Sequence, residues 1–267
     1  MKIPLYQLDA FADRLFAGNP AAVCPLERWL PDGTLRAIAA ENNLSETAFL
    51  VARGADYELR WFTPTVEVDL CGHATLASGQ VVFERLRPET TAVRFHTKSG
   101  VLGVVKQGEW LELDFPARPP ERCDPPAALV DALVDAQGGS PREIRKSTRD
   151  YLVVYGSQEE VARLAPAAEP LAALGCVGVI ATARGEEREV DFVSRFFAPG
   201  AGIYEDPVTG SAHCVLAPYW ATQLGKTSLE ARQISKRGGR LRCELRGERV
   251  GIAGQVVLYL EGVITVP

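Results

Sequence analysis

Two short segments of this chain resemble each other and lie about half a chain apart. The first runs Asp69-Leu-Cys-Gly-His-Ala-Thr-Leu-Ala-Ser-Gly79, and the second runs Glu205-Asp-Pro-Val-Thr-Gly-Ser-Ala-His-Cys-Val215. Their alignment pairs Gly72-His73-Ala74 with Gly210-Ser211-Ala212, 138 residues further on. Each copy passes from an acidic residue through a glycine into an apolar stretch of helical character. The repeat predicts two related lobes, each with one such helix.

Both of these helices are apolar on nearly all sides, which is typical of a buried helix. We therefore expect each lobe to be a curved β-sheet or barrel around one central helix. The N-terminus of such a helix carries unpaired N–H groups and a partial positive charge, so it can hold a carboxylate or a phosphate. The repeat predicts that the two N-termini face one shared cleft.

Length and composition limit the classes of function. The chain has 267 residues, 46% of them hydrophobic, which suits one large or two moderate domains. A net charge of −5 argues against nucleic acid or an anionic membrane surface as a partner. No apolar stretch approaches the roughly 18–20 residues needed to span a bilayer. The N-terminal residues alternate like a strand rather than forming a secretory signal, so we expect a cytoplasmic protein.

The cysteines and histidines do not predict a metal site. Six cysteines are dispersed without a C-x-x-C pair, which indicates reduced thiols rather than a disulfide framework. The three histidines form neither an H-x-x-x-H motif nor a cysteine–histidine cluster with ligand spacing. We read His96 and His213 as structural.

Hydrophobic periodicity predicts an α+β protein with many short strands. The predicted strands are Ile3–Leu8, Thr47–Ala52, Tyr57–Phe62, Ala92–Thr97, Val101–Lys106, Trp110–Phe115, Tyr151–Tyr155, Val177–Thr182, Val190–Phe196, Arg240–Arg246, Val250–Ala253 and Val256–Val266. The predicted helices are Asp32–Asn42, His73–Arg85, Ala127–Val134, Glu159–Leu164 and Ser211–Leu224. Pro218 should bend the last helix unless the carbonyl that it leaves free finds another partner.

A proline-rich segment, 115–126, predicts the boundary between the lobes. It holds five prolines in twelve residues, which favours a linker outside any sheet or helix. We therefore expect an N-terminal lobe over 1–116 and a C-terminal lobe over 117–267. The last strand, near 258–267, is a candidate to return to the first lobe.

Three side chains are candidates for chemistry on local pattern. Glu46 follows Ser45 at a helix-to-strand junction, where a carboxylate usually faces solvent, but its apolar neighbours predict a half-buried group with a raised pKa. His73 at a helix N-terminus is expected to lose proton affinity to the helix dipole. Asp206 before Pro207 reads equally well as a helix N-terminal signal.

Five motifs in order along the chain resemble the PhzF-like (phenazine biosynthesis-like) family. They are Gly18-Asn-Pro-Ala-Ala-Val23, Asn43-Leu-Ser-Glu-Thr-Ala-Phe49, Arg60-Trp-Phe-Thr-Pro64, Asp69-Leu-Cys-Gly-His-Ala-Thr75 and Asp206-Pro-Val-Thr-Gly-Ser-Ala212. The resemblance implies a two-lobed fold similar to diaminopimelate epimerase, an active site between the lobes, no cofactor and a homodimer. It also implies isomerisation by proton transfer, the best-understood substrate being trans-2,3-dihydro-3-hydroxyanthranilate.

Position by position, the resemblance assigns roles to four side chains. Glu46 takes the place of the family's acid/base glutamate, and His73 that of its substrate-binding histidine. Asp206 and Ser211 take the places of its aspartate and serine. We expect the substrate-binding set to be completed by Ser45 and by the backbone N–H groups of both helix N-termini, at Gly72, Ala74, Gly210 and Ala212.

The sequence therefore predicts a cofactor-independent isomerase of a small carboxylated metabolite. One alternative is a cysteine-assisted racemase or epimerase in which Cys71 is a base. Its weakness is that the nearest second thiol, Cys214, is out of register in the other segment. The other alternative is a non-catalytic protein that binds a small molecule at the same helix N-termini.

Overall fold

The computed structural model describes residues 1–134, 137 and 139–266. The chain forms two compact units: Met1–Asp114 together with Ala253–Pro267, and Phe115–Ile252. Pro267, the last residue of the strand predicted near 258–267, lies outside the described residues.

Six α-helices occur in the described chain. They are α1 Asp32–Asn42, α2 Gly72–Val81, α3 Ala127–Val134, α4 Gln158–Arg163, α5 Ala168–Ala172 and α6 Gly210–Leu224. A π-helical turn, Val82–Leu86, extends α2, and a 3₁₀ turn lies at Pro199–Ala201. None of the helices in the described ranges is both long enough and apolar enough to cross a membrane.

Strands make up most of the remaining regular structure. They are β1 Lys2–Ala10, β2 Asn19–Leu26, β3 Glu46–Arg53, β4 Asp56–Phe62, β5 Glu67–Val68, β6 Ala92–Thr97, β7 Gly100–Gln107, β8 Trp110–Pro116, β9 Glu121–Arg122, β10 Glu143–Lys146, β11 Asp150–Val154, β12 Gly178–Arg184, β13 Phe192–Ala198, β14 Ile203–Glu205, β15 Ser228–Gln233, β16 Gly239–Arg246, β17 Arg249–Gly254 and β18 Val256–Thr265.

In the first unit a single sheet covers the buried helix α2. The strand order is β18–β1–β2–β3–β4–β6–β7–β8, with β5 paired to β4 and with β2–β3 and β4–β6 parallel. Helix α2 contacts β1, β2, β3 and β7. Helix α1 packs against β3 and β4, and its buried residues Leu35, Ile38 and Ala39 join a cluster that includes Phe49.

The second unit has a similar organisation around α6. The strand order is β9–β10–β11–β12–β13–β15–β16, with β14 paired to β13 and with β11–β12 and β13–β15 parallel. Helix α6 contacts β11, β15 and β16, and nearly all of its first twelve residues are buried. The smaller helices α3, α4 and α5 share a separate apolar cluster with β11, β12 and β13. The predicted fold class is confirmed: the protein is α+β, with one buried helix against the sheet of each unit.

Most predicted elements are confirmed to within two residues, but several were missed. Strand β2 contains Pro20 and Pro25, and these prolines concealed it because proline donates no hydrogen bond to a sheet. The sequence analysis also missed α5 and the strands β5, β9, β10, β14 and β15.

The expectation that segment 115–126 contains no sheet residues is wrong. Strand β8 reaches Pro116, and Glu121–Arg122 pairs with β10. Between them, the Ala117 N–H donates to the carbonyl of Glu248 over 2.8 Å. The prolines remove only their own donors, so the residues between them still form backbone hydrogen bonds.

The same segment supplies a partner for the carbonyl that Pro218 leaves free. Proline at this position of α6 cannot donate to the carbonyl of Cys214, four residues earlier. That oxygen instead accepts a hydrogen bond of 2.8 Å from the Arg118 N–H. Helix α6 continues through Pro218 to Leu224, because the carbonyl is satisfied from outside the helix.

Candidate active site

Glu46 is the first residue of β3 and lies directly after the turn that ends α1. Helix α1 ends at Asn42, and Asn43 takes a left-handed conformation with φ of 50°. The side-chain amide of Asn42 then donates to the Thr47 hydroxyl over 3.0 Å, which ties the end of the helix to the start of the strand. Thr47 is buried and Ser45 is half-buried. The Glu46 side chain is 13% exposed, so the predicted half-buried carboxylate is confirmed.

His73 and Cys71 lie at the N-terminus of α2, beside Glu46. The helix begins at Gly72, after the extended residue Cys71. The carbonyl of Cys71 accepts a hydrogen bond of 2.5 Å from the Thr75 hydroxyl. Nε2 of His73 lies 3.1 Å from Oε2 of Glu46. Sγ of Cys71 lies 3.5 Å from Nδ1 of the same ring and 3.9 Å from Nε2. The structure thus brings together two predicted site residues and the thiol of the alternative mechanism.

One oxygen of Glu46 is buried without a hydrogen-bond partner. Oε2 is at ion-pair distance from His73, but their relative orientation is not that of a hydrogen bond, and no other described group satisfies this atom. Buried polar atoms are nearly always hydrogen-bonded in native proteins, and an exception calls for an explanation. The missing partner is consistent with an atom of a ligand or of a substrate.

The expected loss of proton affinity at His73 is wrong. Burial alone lowers the pKa of His73, but Cys71 and Glu46 outweigh burial and raise this pKa well above 6.5. Burial, together with the charge of Glu46, raises the pKa of the Cys71 thiol to about 11. Because this thiol is protonated near neutral pH, the carboxylate of Glu46 is the charge that holds the proton on His73. A direct ion pair outweighs the partial charge of a helix end.

In the second unit, Asp206 lies before α6 and takes part in a network of side chains. Its carboxylate accepts a hydrogen bond of 2.5 Å from the hydroxyl of Thr209, the residue before the helix. Gly210 and Ala212 are buried, while Ser211 is half-buried. Asp206 thus holds the side chain of the residue that directly precedes the helix.

Gln233 is part of this network and was missed by the sequence analysis. Its carboxamide accepts from the Thr209 N–H over 2.8 Å and donates to the Asp206 carbonyl over 2.7 Å. It is 1% exposed and ends β15, where Leu229 and Ala231 are also buried. The alternation of that strand could have predicted an inward-facing glutamine, but the strand itself was not recognised.

The remaining histidines and Cys214 have other surroundings. His96 pairs with Asp56 over 2.9 Å. His213 lies inside α6, where Nδ1 is 2.8 Å from the Thr209 carbonyl, and burial lowers its pKa to about 4. A neutral His213 donates this hydrogen bond to the backbone at the start of α6. Cys214 is buried in α6, and burial raises the pKa of its thiol to about 11.

Glu46, Cys71 and His73 also form a group of possible metal ligands. Their ligand atoms all lie within 4.8 Å of one another. Sequence spacing gave no sign of this cluster, because Glu46 comes from a different strand and is brought to Cys71 and His73 by the fold.

Comparison with known proteins assigns the chain to a family. The sequence model of the phenazine biosynthesis-like (PhzC-PhzF) family matches residues 8–262. An uncharacterized isomerase of Pseudomonas aeruginosa is 54% identical over 99% of each chain. The crystal structure of a PhzF-family phenazine biosynthesis protein of Enterococcus faecalis is 46% identical and covers 100% of both chains, with a TM-score of 0.94. The chain belongs to the phenazine biosynthesis-like family, as the five motifs predicted.

The fold extends to more distant enzymes. A hydroxyproline epimerase of Agrobacterium vitis matches with a TM-score of 0.61 over 98% of this chain and 92% of its own, at 12% identity. This similarity concerns the fold alone.

Proposed function

We propose that the protein is an isomerase that moves a proton within a small carboxylated metabolite. The observation that carries the proposal is the buried Oε2 of Glu46, which lies beside His73 at the N-terminus of α2 and has no hydrogen-bond partner among the described groups. A carboxylate held in this way can accept a proton from carbon without first breaking a hydrogen bond. Curated relatives with isomerase names support the same class of reaction.

In this proposal Glu46 takes a proton from a carbon next to an acidifying group and returns it elsewhere on the same molecule. General acid/base catalysis of this kind contributes about 10²–10⁴ in rate. The N–H groups of Gly72, His73 and Ala74 at the start of α2 hold the substrate carboxylate or the enolate that develops from it. The imidazole of His73 orients a polar group of the substrate.

The proposed substrate-binding set also includes residues of the second unit and Ser45. In the second unit these are Asp206, Ser211, Gly210 and Ala212. Their support is the match to the family motif and the network that fixes the residues before α6. We further propose that the enzyme needs no cofactor and is a cytoplasmic homodimer. Activity that is retained after dialysis against a chelator would support the absence of a metal cofactor. Light scattering tests the homodimer.

Solvent-deuterium exchange tests the role of Glu46. The protein is incubated in heavy water with trans-2,3-dihydro-3-hydroxyanthranilate and, separately, with trans-4-hydroxy-L-proline, and deuterium on carbon is followed by NMR. We expect deuterium exchange with one of the two probes. In Glu46→Gln the exchange rate should fall by about 100-fold or more. Glu41→Gln, which changes an exposed carboxylate near the end of α1, is the matched control and should exchange normally.

Two outcomes favour the alternatives. Unimpaired exchange in Glu46→Gln, with exchange abolished in Cys71→Ser, would identify a cysteine-assisted racemase or epimerase. That mechanism has one observation in its favour, the contact of Cys71 with His73. Tight binding of a probe without any exchange would identify a non-catalytic binding protein.

A further inference from the structure

We propose that Glu46, Cys71 and His73 bind a zinc ion, and that this ion blocks the acid/base site. The binding does not depend on the proposed isomerase function, whereas the predicted inhibition rests on it. The three side chains supply a carboxylate oxygen, a thiolate and an imidazole nitrogen. This combination selects zinc over magnesium or calcium, which prefer sites made of oxygen atoms alone.

The distances already approach those of a zinc site. Typical bond lengths in a tetrahedral site place the ligand atoms about 3.3–3.7 Å apart. Here Oε2 of Glu46 is 3.1 Å from Nε2 of His73, and Sγ of Cys71 is 3.9 Å from the same nitrogen. All the ligand atoms lie within 4.8 Å of one another. Shifts of under about 1 Å would therefore complete three sides of a tetrahedron.

A second observation in favour of zinc binding is the unsatisfied Oε2 atom of Glu46. Oε2 is buried, has no hydrogen-bond partner in the described chain, and belongs to this same cluster. A zinc ion bound there would satisfy it directly. The fourth position would stay open to water, as it does in zinc sites with three protein ligands.

The charges also favour a divalent cation. Zinc binds a thiolate and a neutral imidazole, so binding releases to solvent both the thiol proton of Cys71 and the proton that Glu46 holds on His73. The thiolate and the Glu46 carboxylate then together neutralise the ion. The partial positive charge at the N-terminus of α2 opposes a cation, but it amounts to only about half an elementary charge. Two full negative charges at bonding distance outweigh it.

The site is held in place by contacts around it. The hydrogen bond from the Thr75 hydroxyl to the Cys71 carbonyl fixes the residue that carries the thiol. The bond from Asn42 to Thr47 fixes the start of the strand that carries Glu46. Such surrounding contacts orient the ligands and contribute to metal affinity.

Zinc titration of the reduced, chelator-treated protein tests the proposal directly. Competition with a chromophoric chelator should give one zinc ion per chain, and cobalt substitution should give a thiolate-to-cobalt charge-transfer band. Cys71→Ser should remove that band and weaken zinc binding by about tenfold or more. Glu46→Gln, which retains both the thiol and the imidazole, should weaken binding without removing the band.

The partly exposed thiols Cys123 and Cys176 provide the controls. Cys123→Ser and Cys176→Ser should bind zinc as the unaltered protein does. Unweakened zinc binding in Cys71→Ser would overturn the proposal, as would the loss of binding in either control or no stoichiometric binding at all. If zinc binds as expected but neither probe undergoes exchange in the zinc-free protein, the zinc site stands and the isomerase function fails.

Discussion

Gly79 of α2 lies so close to Val104 of β7 that a Cβ atom built on the glycine would be 2.8 Å from Cγ1 of Val104. Both residues are buried, and α2 contacts β7. The valine cannot rotate away easily, because a β-branched side chain is stiff at χ1. The absence of a side chain at Gly79 is therefore what lets the helix approach this strand.

Gly79→Ala should lower the free energy of unfolding. Alanine favours the helix by up to about 1 kcal/mol, but overpacking against Val104 costs about 1–3 kcal/mol. We expect a net loss of about 1–2 kcal/mol, measured by urea denaturation.

Two comparisons make this prediction specific. Gly33→Ala, in α1 where no atom lies within 4 Å of the added Cβ, should stabilise the protein by up to about 1 kcal/mol. In a Val104→Ala background, Gly79→Ala should destabilise less, because the contact of 2.8 Å to Cγ1 is removed and only that of 3.2 Å to Cβ remains. An equal loss in both backgrounds would contradict the proposed clash.

The sequence predicted α2 and α6 well because local signals define them. Glycine precedes an apolar run in both segments, and a helix that is apolar all round must be buried. Glu46 was predicted to lie at a junction because the helical period ends at Asn42 and an apolar run follows it. In each case the determining information lies within about ten neighbouring residues.

What the sequence could not predict depends on residues distant along the chain. The high pKa of His73 depends on Glu46, 27 positions earlier, and the helix-end argument alone gave the wrong direction. The carbonyl freed by Pro218 finds the Arg118 N–H, which no local pattern connects to α6. Gln233 likewise comes from a strand that follows the helix it supports.

Asp150 should make the stability of the protein depend on pH. It is 2% exposed, and burial raises the pKa of its carboxyl to about 6, although Arg149, Arg118 and the Gly178 N–H act in the opposite direction. Its ordinary pKa is 3.8, so between pH 4 and pH 6 the folded state binds more protons than the unfolded state. Stability from this group therefore falls as the pH rises through that window, by about 3 kcal/mol in all.

Asp150→Asn should remove that penalty, because asparagine keeps an oxygen acceptor but carries no charge. We expect a higher melting temperature than the unaltered protein at pH 8 and a smaller difference at pH 4, measured by scanning calorimetry. Asp131→Asn, at an exposed position of α3, is the control and should shift stability by less than about 0.5 kcal/mol at either pH. A destabilised Asp150→Asn at pH 8 would show that the charged carboxylate is stabilised by the nearby arginines.

Gln233→Leu should loosen the residues that lead into α6. The leucine leaves the Thr209 N–H and the Asp206 carbonyl without the partner that they have at 2.8 and 2.7 Å. Each buried group that loses its partner costs about 1–3 kcal/mol, so the free energy of unfolding should fall by at least that amount. Hydrogen exchange should also accelerate in peptides that cover 206–212. The control is Gln223→Leu, at an exposed position near the end of α6, which should change neither the free energy of unfolding nor the exchange rate. An unaltered exchange rate in Gln233→Leu would mean that other contacts hold the segment 206–212 in place.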